Sequence, residues 1–277
     1  MDKDNRRKRG ISMIAYPFPT LAKAAFVALS FLAIPPALAV EDSTRMLAEN
    51  QRAVESLARL GDQTKAVLTP EIGFPQQYIP AWHRAVDRAF DADRLEADFL
   101  QAFDTHLTDP ARHAAMAFDS TALAGEAYER IREVEAMEED VDFDAARAYL
   151  EAASAEENAL YVDIFAAQQG PERANAIMDV YFRMMKIAAE PVIGAEMADQ
   201  WIAGAQGLRD GYVENYFLSG VSALSGLPQE RLADLAGVVG TPDMVAYSEQ
   251  AMLAFSDALN AAADRLDTAF SEEVGNL

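Results

Sequence analysis

Hydrophobic positions along this chain recur at intervals of three and four residues almost throughout, the period of one face of an α-helix. In 92–107 (ADRLEADFLQAFDTHL), Leu95, Phe99, Ala102, Phe103 and Leu107 share a side, and Asp91 or Asp93 is placed to cap the start. Leu123, Tyr128, Ile131 and Val134 make a weaker stripe in 122–137. Over 145–168, Tyr149, Leu150, Ala153, Leu160, Tyr161, Ile164 and Phe165 predict one helix. Gly170 is expected to stop it and Pro171 to open the next. Similar stripes cover 172–188 and 207–224. No stretch alternates with period two for long. The pattern predicts an all-α chain of about nine to eleven helices.

Proline and glycine punctuate this pattern at 69–80, 108–110, 169–171, 190–194, 225–228 and 239–242. The acidic stretch EEDVDFD (138–144) divides the chain into an N-terminal helical half, 40–139, and a C-terminal helical half, 140–277. Residues 107–134 and 224–253 both read as short helix, turn, longer helix. Setting Tyr128 on Tyr247 also pairs Arg112 with Arg231 and Ala114 with Ala233. A duplicated helical hairpin is one reading, because stacked helical repeats bury a continuous core. Chance similarity between acidic helices is the other.

The first residues break the pattern. Arg6, Arg7, Lys8 and Arg9 precede an apolar run, AAFVALSFLAI (24–34), and Ala37-Leu38-Ala39 follows two prolines. A basic segment, a short apolar core and a small-residue triplet make a secretory signal peptide. Cleavage is expected after Ala39, with 1–39 removed. The run is shorter than the ~20 residues that span a bilayer, so no membrane span is expected after cleavage. The expected location is the bacterial periplasm.

Charge sharpens the picture. The chain carries 23 Lys/Arg against 45 Asp/Glu, a net charge of −22. Removing 1–39 takes away six basic and two acidic residues, leaving 17 against 43, or −26. Such a surface repels nucleic acid and anionic lipid. There is no cysteine. An exported chain without disulfides must be held by its core.

The order PAWHRAVDRAFDADRLEADFLQAF, then HAAMAFDSTALAGEAYERI, resembles an exported bacterial family called domain of unknown function (DUF) twenty-fifty-nine. Phe118, Asp119 and Ser120 match the start of its motif, which continues as Ser/Thr-Pro-x-Gly into a helix. No proline follows here and Gly125 comes late. Thr241, Pro242 and Asp243 repeat the motif, with Met244 in place of Gly. The resemblance covers 80–135 and, more weakly, 205–270. It implies an exported helical domain and no particular reaction. The motif's roles are structural: a capping hydroxyl, proline in the first turn, and glycine for close packing.

Few residues point to chemistry. Asp140, Asp142, Asp144 and Glu151 stand at positions one, three, five and twelve of a calcium loop. Ala145 occupies the sixth position, where the sharp turn needs Gly, and Arg147 the eighth. An acidic linker running into a helix capped by Asp144 is therefore the favoured reading, with calcium as the alternative cofactor. His83, His106 and His113 lack the cysteine or clustered imidazole partners of a transition-metal site. Ser222 in GVSAL lacks the closing glycine of a nucleophile elbow. Trp82 and His83 beside two aromatic-proline turns, and Tyr181, Met184 and Met185 in IMDVYFRMMKI, are candidates for a ligand or partner surface. Packing is the competing role for both sets. The first functional reading is a non-catalytic periplasmic binding or accessory factor with an envelope protein partner. The second is a carrier of a small ligand or divalent cation, using a cleft between the halves or the acids of 138–144. The third is an enzyme that these motifs do not mark.

Overall fold

The computed structural model describes residues 40–50, 53–66, 68, 74–136 and 141–277. The signal segment 1–39 and Asp140 lie outside the described residues. Those described form thirteen helices and no strand. They are α1 (Val40–Asn50), α2 (Ala53–Lys65), α3 (Tyr78–Ala89), α4 (Ala92–His106), α5 (Asp109–Asp119), α6 (Ala122–Ala136) and α7 (Phe143–Ala152). There follow α8 (Ala155–Ala167), α9 (Gly170–Ile193), α10 (Ala195–Ala205), α11 (Leu208–Leu224), α12 (Gln229–Val239) and α13 (Pro242–Gly275).

The all-α expectation holds, with more helices than the stripes suggested. One reason is local. The predicted helix over 145–168 breaks at Ala153–Ser154, where the Ser154 hydroxyl accepts the Glu157 N–H at 3.1 Å and caps α8. Ser154-x-x-Glu157 is the sequence signature of such a start. Asp91, of the two candidates, caps α4, accepting the Arg94 N–H at 3.2 Å. At the next corner the left-handed residue is Gln169 (φ 56°), not Gly170. Glycine is required at 170 for another reason: a Cβ there would run into the Phe165 ring.

Helix α13 is the spine. Its 34 residues extend about 50 Å at 1.5 Å per residue. Ala251, Ala254, Ala258, Ala262 and Ala263 are all buried along it, and small side chains let neighbouring helices approach closely. It packs chiefly against α3, α4 and α9, and also against α5. Helices α1 and α2 cover α4, while α9 carries α10 and α11. Residues on both sides of 138–144 share one hydrophobic core. The spine, from the second half of the chain, thus lies largely on helices of the first.

The α5–α6 and α12–α13 hairpins have like outlines. Each opens with an 11-residue helix. Thr121 and Thr241 each end a two-residue turn, donating to the carbonyls of Phe118 (2.7 Å) and Val238 (2.8 Å). Helix boundaries therefore align Thr121 with Thr241, one residue away from the register that pairs the two tyrosines. Gly125 serves no close packing, since a Cβ there would meet open space.

Candidate functional site

An open groove of about 690 Å³ runs where the C-terminal end of α3, the start of α4 and the last turns of α13 meet. Helix α3 contributes Asp87 and Arg88, the connecting turn Asp91, and α4 Arg94. Helix α13 contributes Asp264, Arg265, Thr268, Ala269 and Glu272. Helical spacing explains the α13 set. Residues 264 or 265, 268 or 269 and 272 follow one another at three and four, so they line one strip.

Most of these charges already have partners. Arg88 donates to the Ala269 carbonyl at 3.0 Å and to Glu272 at 3.3 Å. Arg265 donates to the Ala89 carbonyl at 3.1 Å and pairs with Asp98. Asp264 pairs with Arg183, and Asp87 with Lys65 at 2.6 Å. The Asp87 hydrogen bond is the main reason the Lys65 pKa lies above its ordinary value, although partial burial opposes it. Just beyond the groove, Arg84 grips Glu273 at 2.7 Å and holds its carboxyl below the usual range.

Two groups stand apart. The exposed Arg94 guanidinium has no ion pair or hydrogen bond among the described residues. Arg265 Nη2 is buried without a hydrogen-bond partner. The groove is therefore structurally braced, yet Arg94 gives it an accessible donor. Nothing in the sequence pattern marked it, because its residues come from positions 87–94 and 264–272.

Other polar clusters are closed. Asp119, at the end of α5, is buried and accepts the Tyr128 hydroxyl at 2.9 Å. Burial, then the Asp119 charge and hydrogen bond, push the Tyr128 pKa well up. Tyr161 donates to the Tyr149 hydroxyl at 3.3 Å, and Tyr149 to Glu157. Burial raises Tyr161, Tyr212 and Tyr216, while an Arg173 interaction pulls Tyr216 partly back.

The residues singled out from sequence are scattered. Trp82 is fully buried, with its indole N–H on the Thr64 carbonyl at 2.8 Å and its ring edge-on to Phe270 at 5.0 Å. It is core, not a ligand or partner surface. His83, beside it, faces solvent. Met184 and Met185 are buried on α9, which corrects the partner-surface reading for both, and Tyr181 is half-buried. The reason is that α9 is covered by α8, α10, α11 and α13. His106 hydrogen-bonds Asp257 across α4 and α13 at 2.8 Å, and His113 lies exposed on α5.

Of the calcium-loop candidates, the three described ones, Asp142, Asp144 and Glu151, are committed to helix α7. Asp142, rather than Asp144, is the cap and accepts the Ala145 N–H at 2.9 Å. Asp144 pairs with Arg147 at 2.8 Å. Glu151 is exposed in the last turn, about 10 Å further along the axis at 1.5 Å per residue. A straight helix from Phe143 holds these carboxylates apart instead of wrapping them round an ion. Among the described residues no group of three or more His, Cys, Asp or Glu side chains is arranged to hold a metal ion.

No family model matches the chain, and neither the curated proteins nor the solved structures contain a match.

Proposed function

We propose that the protein is an exported, acidic helical binding protein whose ligand site is the α3–α4–α13 groove. The observation that carries this reading is the unpaired Arg94 guanidinium at a groove where most neighbouring charges are already partnered. An unpaired donor can take a ligand without first breaking an internal contact. Export rests on the basic residues 6–9, the apolar run 24–34 and Ala37-Leu38-Ala39. Its setting is the periplasm, in keeping with the resemblance drawn from 80–135. No helix among the described residues is long and apolar enough to cross a membrane.

Two measurements test this reading. Fractionation of the producing cell should recover a periplasmic chain beginning at Val40; a chain that retains 1–39 in the cytoplasm removes the export claim. A panel of anionic, cationic and zwitterionic small molecules should contain one that raises the melting temperature of that chain, and Arg94→Ala should abolish the rise. A rise that survives Arg94→Ala places the ligand elsewhere.

One observation favours a second reading, an accessory factor that docks on an envelope protein. Ile193 and Met197 are 43% and 49% exposed at the α9–α10 corner. Loss of a co-purifying partner in Ile193→Asp/Met197→Asp supports that reading; unchanged recovery removes it.

A further inference from the structure

Resting on the groove as the ligand site, we infer that its ligand is an ammonium–carboxylate zwitterion, an amino acid or short peptide. Within the groove, Arg88 is taken by Glu272 and Ala269, Asp87 by Lys65, and Asp264 by Arg183. Arg265 is held by Asp98 and Ala89, apart from its unpartnered Nη2. This leaves one guanidinium and one carboxylate without an ion pair among the described residues: Arg94 and Asp91. They sit three residues apart at the start of α4. Asp91 uses one oxygen to cap the helix through the Arg94 N–H at 3.2 Å, and its charge remains available.

Each simpler ligand meets a penalty that a zwitterion avoids. A pure anion on Arg94 would lie beside Asp91 and the other groove carboxylates. It would also approach a chain of net charge −22, whose field repels it. A pure cation on Asp91 would face the unpaired Arg94. A zwitterion is neutral overall, so the long-range repulsion vanishes while both local contacts form. Its carboxylate meets Arg94, where a guanidinium makes the stronger, charge-assisted hydrogen bonds. Its ammonium meets Asp91. A groove of about 690 Å³ falls within the ~300–1,000 Å³ range of small-molecule sites, which accommodates a short peptide. Both contacts are solvent-accessible, so binding is expected to be weak and to weaken with salt.

The test is an NMR titration of the full exported chain with three matched peptides. They are triglycine, triglycine amide (cationic) and acetyl-triglycine (anionic). Triglycine should move the amide resonances of Asp91, Arg94 and Thr268. The two blocked peptides should bind about threefold more weakly, as loss of a solvent-accessible charged contact implies. Arg94→Gln and Asp91→Asn should each weaken triglycine by about threefold. Asparagine still caps the helix, and the melting temperature of each variant checks its fold. If a blocked peptide binds as tightly as triglycine, the zwitterion inference is overturned while the groove remains a site. The same holds if only inorganic phosphate or spermidine moves these resonances. If none of the five probes moves them, both the inference and the groove reading fall.

Discussion

The Tyr128 hydroxyl donates a 2.9 Å hydrogen bond to Asp119 in the interior of the protein. The pair ties the last turn of α5 to α6, nine residues on. A buried carboxylate is tolerable only when it is hydrogen-bonded. Tyr128→Phe removes one donor from Asp119 with little change of shape. The expected loss is about 1–3 kcal/mol, read from urea denaturation. A loss below about 0.5 kcal/mol, the ordinary scatter of surface substitutions, would mean that the remaining partners of Asp119 suffice.

Buried phenols also set the alkaline limit of stability. Tyr128, Tyr161, Tyr212 and Tyr216 all have pKa values raised by burial. In the unfolded chain a tyrosine ionises near pH ~10. Above that pH the folded state holds more protons than the unfolded one, so stability falls as pH rises. Below it, the contribution is fully present. Unfolding free energy should therefore be level from neutral pH to about 10 and drop beyond it. Phenolate absorbance should appear together with unfolding rather than before it. A phenolate signal from several tyrosines in a still-folded chain at the same pH would contradict this.

Trp82 is the largest fully buried side chain and touches Phe270 near the end of the spine. Trp82→Ala should cost about 3–5 kcal/mol by leaving a cavity between α3 and α13. The Thr64 carbonyl would also lose its indole donor. Calorimetry of the variant checks the magnitude. Full stability would mean that the helices close over the gap.

The α8–α9 corner carries a residue in an unfavourable conformation. Gln169 sits at φ 56°, ψ 35°, a region that costs a non-glycine residue about 1–2 kcal/mol. Gln169→Gly is expected to raise the melting temperature, and Gly170→Ala to lower it, because the added methyl meets the Phe165 ring. The opposite signs at adjacent positions make the pair a stringent check. A stabilising Gly170→Ala would show that Phe165 yields at no cost.

Asp142 is expected to act as a cap and not as a calcium ligand. Asp142→Ala should lose about 0.5–2 kcal/mol, and Asp142→Asn much less, since asparagine caps as well. The melting temperature should be the same in EDTA and in excess calcium. A calcium-specific rise that disappears in Asp142→Ala would reverse this assignment.

Much of the architecture was legible in the chain itself. The spacing by four of Leu95, Phe99 and Phe103 predicted α4, and all three are buried. Asp91 or Asp93 signalled its start, and the structure chose Asp91. Such features depend on neighbours within a few residues, where backbone geometry fixes which side chains share a face. The Ser154 cap was present in the same local code, and its role became plain only once α7 and α8 were seen to part there.

The candidate site was not legible in this way. Arg94 and Arg265 are 171 residues apart in the sequence, and no local period relates them. Nor could spacing tell that Met184 would be covered while Ile193, nine residues on along the same helix, would stay exposed. The sequence alone determined the all-α class, the face of α4 and the acidic balance of the chain, because these follow from short-range sterics and from composition. The tertiary structure decided which charges found partners and left Arg94 without one, because pairing depends on which helices the shared core brings together.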